Sequence, residues 1–89
     1  MITVKRVTLD VLKPHQPNAL EFAQAIAALG PDLRVKVTVE EVDEKTETLQ
    51  VVVEATNIDF PEVHEAINKL GGSLHSIDEV EVHGDSDQT

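Results

Sequence analysis

Two periods of apolar residues alternate along this chain, and their order leaves few folds open. Over residues 2–12 the period is two from Val7 onward: Val7, Leu9 and Val11 point one way, Arg6, Thr8 and Asp10 the other, as in a half-buried strand. Lys13-Pro14-His15-Gln16-Pro17 stops it, because two prolines remove ladder donors and fix φ. The period then lengthens. Asn18 reads as a helix N-cap with Glu21 as capping-box partner, and Phe22, Ala25, Ile26 and Leu29 form an apolar stripe behind it. Gly30-Pro31 ends the helix, with Gly30 expected in the left-handed position after the cap.

The period of two returns over 33–42, with Val35, Val37 and Val39 inward, and after the polar turn 43–46 it recurs over 47–56 with Leu49, Val51, Val53 and Ala55. Asp59 caps a second helix with Glu62 as its partner, Ile58 and Val63 forming a hydrophobic staple and Phe60, Val63, Ile67 and Leu70 the buried stripe. Gly71-Gly72 terminates it, and a less regular strand covers 74–83. Strand-helix-strand, hairpin, strand-helix-strand is the split βαβ order of the ferredoxin-like fold. The expectation is an α/β (α+β) sandwich, βαββαβ, with one four-stranded antiparallel sheet in the order 4-1-3-2 and two helices on one face. Residues 1–83 are expected to form this single domain, with 84–89 as a disordered acidic tail. The other sheet face is expected to carry Val4, Leu12, Val52 and Ile77 among charges, too many apolar groups for a face left in water.

Composition narrows the function. A chain of this size buries only about 60% of its unfolded surface, so its core is thin and association with copies of itself would help it. The absence of cysteine excludes a disulfide scaffold, a thiol nucleophile, a Cys-type zinc site and an iron–sulfur cluster. Seven Lys and Arg against seventeen Asp and Glu, a formal charge of −10, argue against nucleic acid and anionic membrane as partners. Neither phenylalanine falls on a strand, so a base-stacking sheet is not supported either. No apolar run approaches a membrane span, and the first residues lack a signal-peptide layout, which points to the cytoplasm. The excess of carboxylates suits a halophilic, high-salt cytoplasm; it also suits an acidic face that simply keeps the protein soluble.

Two segments, Leu9-Asp10-Val11-Leu12-Lys13-Pro14-His15-Gln16-Pro17 and Gly71-Gly72-Ser73-Leu74-His75-Ser76-Ile77-Asp78-Glu79-Val80, together with Glu41-Val42-Asp43 and Asn57-Ile58-Asp59-Phe60, resemble the archaeal family known as domain of unknown function number 211. The resemblance covers about residues 2–83. It implies a ferredoxin-like fold, a symmetric homo-oligomer and bound metal ions, and it supplies no reaction.

Catalytic signatures are few. His64-Glu65-Ala66-Ile67-Asn68 misses the H-E-x-x-H zinc motif because Asn68 stands where the second imidazole is needed, which leaves His64 as a boundary residue of its helix. There is no glycine-rich phosphate loop. The constellation that remains is Asp10, His15, His75, Asp78 and Glu79, which the expected strand 1–strand 4 seam brings toward one another. Hard oxygen donors suit Ca²⁺ or Mg²⁺, and an added imidazole shifts the preference toward Mn²⁺ or Zn²⁺. The plainer alternative is that Asp78-Glu79 bulge the strand, His75 pairs with Asp10, and nothing binds. The function these features favour is a non-catalytic, homo-oligomeric binding or regulatory protein holding a divalent cation or small ligand between subunits, with no organic cofactor implied. The alternative is a small enzyme using His15 or His75 as general base, oriented by Asp10 or Asp78.

Overall fold

The computed structural model describes residues 1–84, and the expected tail beyond Gly84 lies outside the described residues. The elements are β1 (Thr3–Pro14), α1 (Ala19–Ala27), β2 (Arg34–Val42), β3 (Thr46–Glu54), α2 (Phe60–Lys69) and β4 (Ser73–His83). The four strands form one antiparallel sheet in the order β2-β3-β1-β4, the expected 4-1-3-2 counted from the other edge. The fold is ferredoxin-like.

Parity along the two central strands decides what is buried. Val7, Leu9 and Val11 of β1 pair with Val53, Val51 and Leu49 of β3, and all six are fully or almost fully buried. Phe22 and Ile26 of α1 and Val63 and Ile67 of α2 pack on that same face, which puts both helices on one side of the sheet. Arg6, Thr8, Asp10 and Leu12 alternate with these residues and belong to the opposite, open face.

Local signals set the helix ends. Asn18 and Glu21 form the reciprocal capping box, with hydrogen bonds of 2.8 and 3.1 Å, and Asp59 Oδ1 accepts from the Glu62 amide at 3.2 Å. At the far end of α2, Gly71 is left-handed at φ 86°, and the Gly71 and Gly72 amides donate to Asn68 O and Ile67 O in the Schellman pattern. The left-handed expectation for Gly30 fails: α1 ends at Ala27, Leu29 and Gly30 donate back to Ile26 and Ala27, and Gly30 keeps a negative φ. A tightened last turn satisfies the same carbonyls without a left-handed residue.

The sheet also corrects the composition of its open face. Register shifts at Lys5 on β1 and at His75 and Asp78 on β4 each insert one residue and reverse the parity beyond it. Val4 therefore packs against the core, and Ile77 pairs with Leu9 on the helix side rather than facing outward. Val80 and Val82 follow it there, opposite Val7 and Val4. Among the described residues no helix covers that stretch: Ile77, Val80 and Val82 remain 48%, 56% and 49% exposed. The helix side of edge strand β4 thus carries an uncovered apolar row.

Gly72 sits where α2 crosses onto β1. A Cβ there would lie 3.0 Å from Ile67 Cγ2, 3.2 Å from Ile67 O and 3.3 Å from Val11 Cγ1, leaving nothing flexible to yield. Gly72→Ala is expected to destabilise the fold by roughly 1–3 kcal/mol, the usual cost of overpacking, while Gly30→Ala, which meets only ordinary contacts with Leu33, should change it by less than about 0.5 kcal/mol. Urea denaturation of both variants checks this, and equal losses would contradict the assigned packing.

Candidate functional site

The most constrained polar group in the protein is Lys13, a lysine with only 1% of its surface exposed. Parity explains its direction, because Lys13 continues the inward series Val7, Leu9, Val11, and Glu47 continues the inward series Val53, Val51, Leu49. The two residues are direct cross-strand partners, and Lys13 Nζ lies 2.9 Å from Glu47 Oε1. Although that oxygen is buried without a well-aligned donor, the contact is close enough for the charges to compensate one another. The ammonium's hydrogen bonds go to the end of β1 and the β1–α1 loop, with carbonyls of Pro14, His15 and Pro17 at 2.9, 3.4 and 2.6 Å. Lys13 therefore ties that loop down from inside.

His15 closes the same cluster from outside. Its Nδ1 is 3.2 Å from Glu47 Oε2 and its Nε2 is 3.0 Å from the Glu44 carbonyl. Both partners are acceptors, so the ring satisfies both only as the doubly protonated imidazolium. The Glu47 carboxylate, then the Glu44 carbonyl, hold the His15 pKa above its usual 6.5. Lys13, then His15, hold the Glu47 carboxyl below its usual 4.5. As an imidazolium His15 can neither ligate a metal nor accept a proton; either role requires it to give up this arrangement.

The five residues singled out from the sequence occupy three places. His15 is turned toward the β2–β3 hairpin, away from β4. Asp10 and His75 come together on the open face, lining a small cavity of about 200 Å³ with Leu12 and Thr48. Glu79 lies farther along, its Oε1 accepting from Thr8 Oγ1 at 2.9 Å and lying 3.4 Å from Arg6 Nε; Asp78 accepts from Ser76 Oγ at 2.6 Å. Among the described residues no three His, Asp or Glu side chains converge as a metal shell within one copy of the chain. The near-motif residue His64 packs beside the Phe60 ring at 5.9 Å.

A larger depression than the one that holds Asp10 and His75 lies beside it on the sheet. It is an open groove of about 750 Å³ over the sheet, lined by Arg6, Thr8, Arg34, Lys36, Val52 and Glu79 among others. Three of the seven basic residues of a strongly acidic chain lie there. They interleave with acids: Arg6 contacts Glu54 at 3.4 Å, and Arg34 contacts the same carboxylate at 3.9 Å. Sequence reasoning missed this row as well as the Lys13–Glu47 pair. The available signal was the parity of β1 and β3.

Fold and polar clusters together define a small α+β domain of ferredoxin-like topology with a helix-covered apolar face and an open, ion-paired one. The chain belongs to the family described as domain of unknown function 211 (DUF211, uncharacterized ArCR), which matches residues 5–86. It is similar to the uncharacterized protein MJ0319 of Methanocaldococcus jannaschii, 44% identical over 77 residues that cover 86% of this chain and 79% of that protein. Among the described residues no helix is long and apolar enough to cross a membrane.

The cluster around Lys13 has a definite pH signature. His15 has a folded pKa above the unfolded value of 6.5, so its contribution is complete below about pH 6.5 and is lost as pH rises through the raised value. Glu47 has a depressed folded pKa, so its contribution is present above about pH 4.5 and is lost as pH falls through the lowered value. The stability difference between wild type and His15→Gln should therefore shrink as pH rises above 6.5, read from urea midpoints across that range. NMR titration should place His15 above 6.5; a lower value, or a difference independent of pH, would contradict the double-donor geometry.

Proposed function

We propose that this protein is a non-catalytic, self-associating binding or regulatory protein of the archaeal cytoplasm, holding a divalent cation or a small ligand where subunits meet. The observation that carries the reading is the uncovered row of Ile77, Val80 and Val82 on an edge strand. Covering their remaining exposed surface is worth about 1 kcal/mol for each residue. An edge strand with apolar groups and free main-chain donors is a poor surface to leave in water.

Cation binding follows from the partial ligand sets. Asp10 and His75 offer one oxygen and one nitrogen ligand on the open face, and Asp78 and Glu79 add carboxylates along the same strand. One copy supplies too few converging ligands, so the shell is completed from a second copy, with His15 available only after it leaves Glu47. Ca²⁺, Mg²⁺, Mn²⁺ and Zn²⁺ are the candidates, since these donors are oxygen and imidazole. A dication would offset repulsion between subunits that each carry −10, which links metal binding to assembly. The same charge fits a halophilic setting: at about 1 M salt the screening length falls to roughly 3 Å and long-range repulsion between subunits disappears.

Sedimentation of dialysed protein, with and without each cation and at low and molar salt, tests the reading. Assembly at micromolar concentration, tightened by salt and by at least one dication, is the expected result, and calorimetry should show weaker binding by His75→Ala and Glu79→Gln. A monomer under every condition would overturn self-association. Equal weak binding by all three proteins would reduce the cation to a counter-ion.

A further inference from the structure

We infer that copies of this chain join head to tail through their sheet edges, β4 of one pairing antiparallel with β2 of the next, so that one sheet runs on from copy to copy. The inference rests on the self-association proposed above and names the surface and its occupant.

It starts from the rows that cross the sheet. On the open face, register places Arg34, Glu54, Arg6 and Glu81 side by side across β2, β3, β1 and β4, a row that alternates in sign. The row ends with a cation on the β2 edge and a carboxylate on the β4 edge. The next row, Lys36, Val52, Thr8 and Glu79, has the same polarity at its ends. On the helix face the intervening rows are Val35, Val53, Val7, Val80 and then Val37, Val51, Leu9, Ile77, apolar from edge to edge. A second copy whose β2 lies against β4 extends every row. Glu81 meets Arg34, Glu79 meets Lys36, and the exposed Val80 and Ile77 meet Val35 and Val37. Opposite charges and apolar pairs facing one another are the favourable cross-strand combinations.

Strand direction agrees. Three antiparallel steps separate β2 from β4, so the two run antiparallel within one copy. A head-to-tail neighbour therefore presents β2 in the sense that an antiparallel ladder needs. Like-with-like pairings do worse. Two β4 edges would bring Asp78, Glu79 and Glu81 against the same three carboxylates, with no Lys or Arg on that strand to answer them. Two β2 edges would set Arg34 near Glu41 of the other copy, which satisfies charge, but would leave Ile77, Val80 and Val82 uncovered. A heterologous contact of this kind closes into a ring, or runs on as a filament if the rotation does not close.

The chain contains no cysteine, so introduced cysteines report the pairing directly. Opposed residues of an antiparallel pair fall within the Cα separation a disulfide spans. Val35→Cys and Val80→Cys should each stay monomeric on a non-reducing gel after mild oxidation, form a cross-linked dimer when mixed, and give a ladder when combined in one chain. Cross-linking of Val80→Cys with itself would mean β4–β4 pairing, and of Val35→Cys with itself β2–β2 pairing; either overturns the inference. A second measurement does not depend on register. Arg34→Glu and Glu81→Arg should each weaken assembly roughly tenfold, and mixing them should restore it with the two variants alternating along the sheet. Wild type that assembles while both the mixed cross-link and the charge rescue fail overturns the head-to-tail edge alone. Wild type that stays monomeric at molar salt overturns self-association along with it.

Discussion

Side-chain parity along β1 and β3 is the constraint on which the rest of the structure depends. These are the two strands with neighbours on both sides, and each sends every second residue toward the helices. The inward set supplies the core residues Val7, Leu9, Val11, Leu49, Val51 and Val53. Its next members at one end of the sheet are Lys13 and Glu47, which must be buried because their parity is already set by the apolar residues before them. The pair is retained at a desolvation cost that well-packed apolar residues would avoid. What it secures is position: one ammonium holds the last carbonyl of β1 and two of the β1–α1 loop, and its partner carboxylate reaches His15. Strand, loop and hairpin are thereby fixed to one another where the outward set turns toward solvent.

The outward set of the same strands makes the ion-paired face. Arg6 and Arg34 share the Glu54 carboxylate, and the acids Asp78, Glu79 and Glu81 lie on the β4 edge of a chain whose net charge is −10, Glu79 reaching back to Arg6. Charge is therefore sorted across the sheet, basic at the start of β2 and acidic along β4. Net charge alone would describe a protein that repels its own copies at every approach. The sorted edges allow an approach that is attractive at short range and also covers the apolar row of β4, once long-range repulsion is screened.

Much of this was legible in the sequence where the cause is local. Asn18 and Asp59 announce their helices through side chains that cap amides three residues away, and both caps are present. Gly71-Gly72 carries a complete stop signal, whereas Gly30 resembles one and is not, because a tightened turn serves equally well at that end. Lys13 and Glu47 were legible in principle through their odd-numbered series, but two prolines beside Lys13 make that stretch read as loop. The bulges at Lys5, His75 and Asp78 have no marker in the sequence, and each reverses parity beyond it. For that reason Val4 and Ile77 fall on the opposite face from the one strict alternation gives. The candidate ligands are spread along the strand 1–strand 4 seam, Asp10 beside His75 while Glu79, opposite Thr8, turns to Thr8 and Arg6.

The central claim is that the edges of this sheet are paired in solution although a single copy leaves them open. Amide hydrogen exchange of the wild-type protein, followed over a hundredfold range of concentration at high salt, tests it most directly. Protection of β2 and β4 amides should rise with concentration while that of α1, α2 and the central strands stays constant, because only the edges gain partners. Edge amides that exchange at the same rate at every concentration would contradict the account.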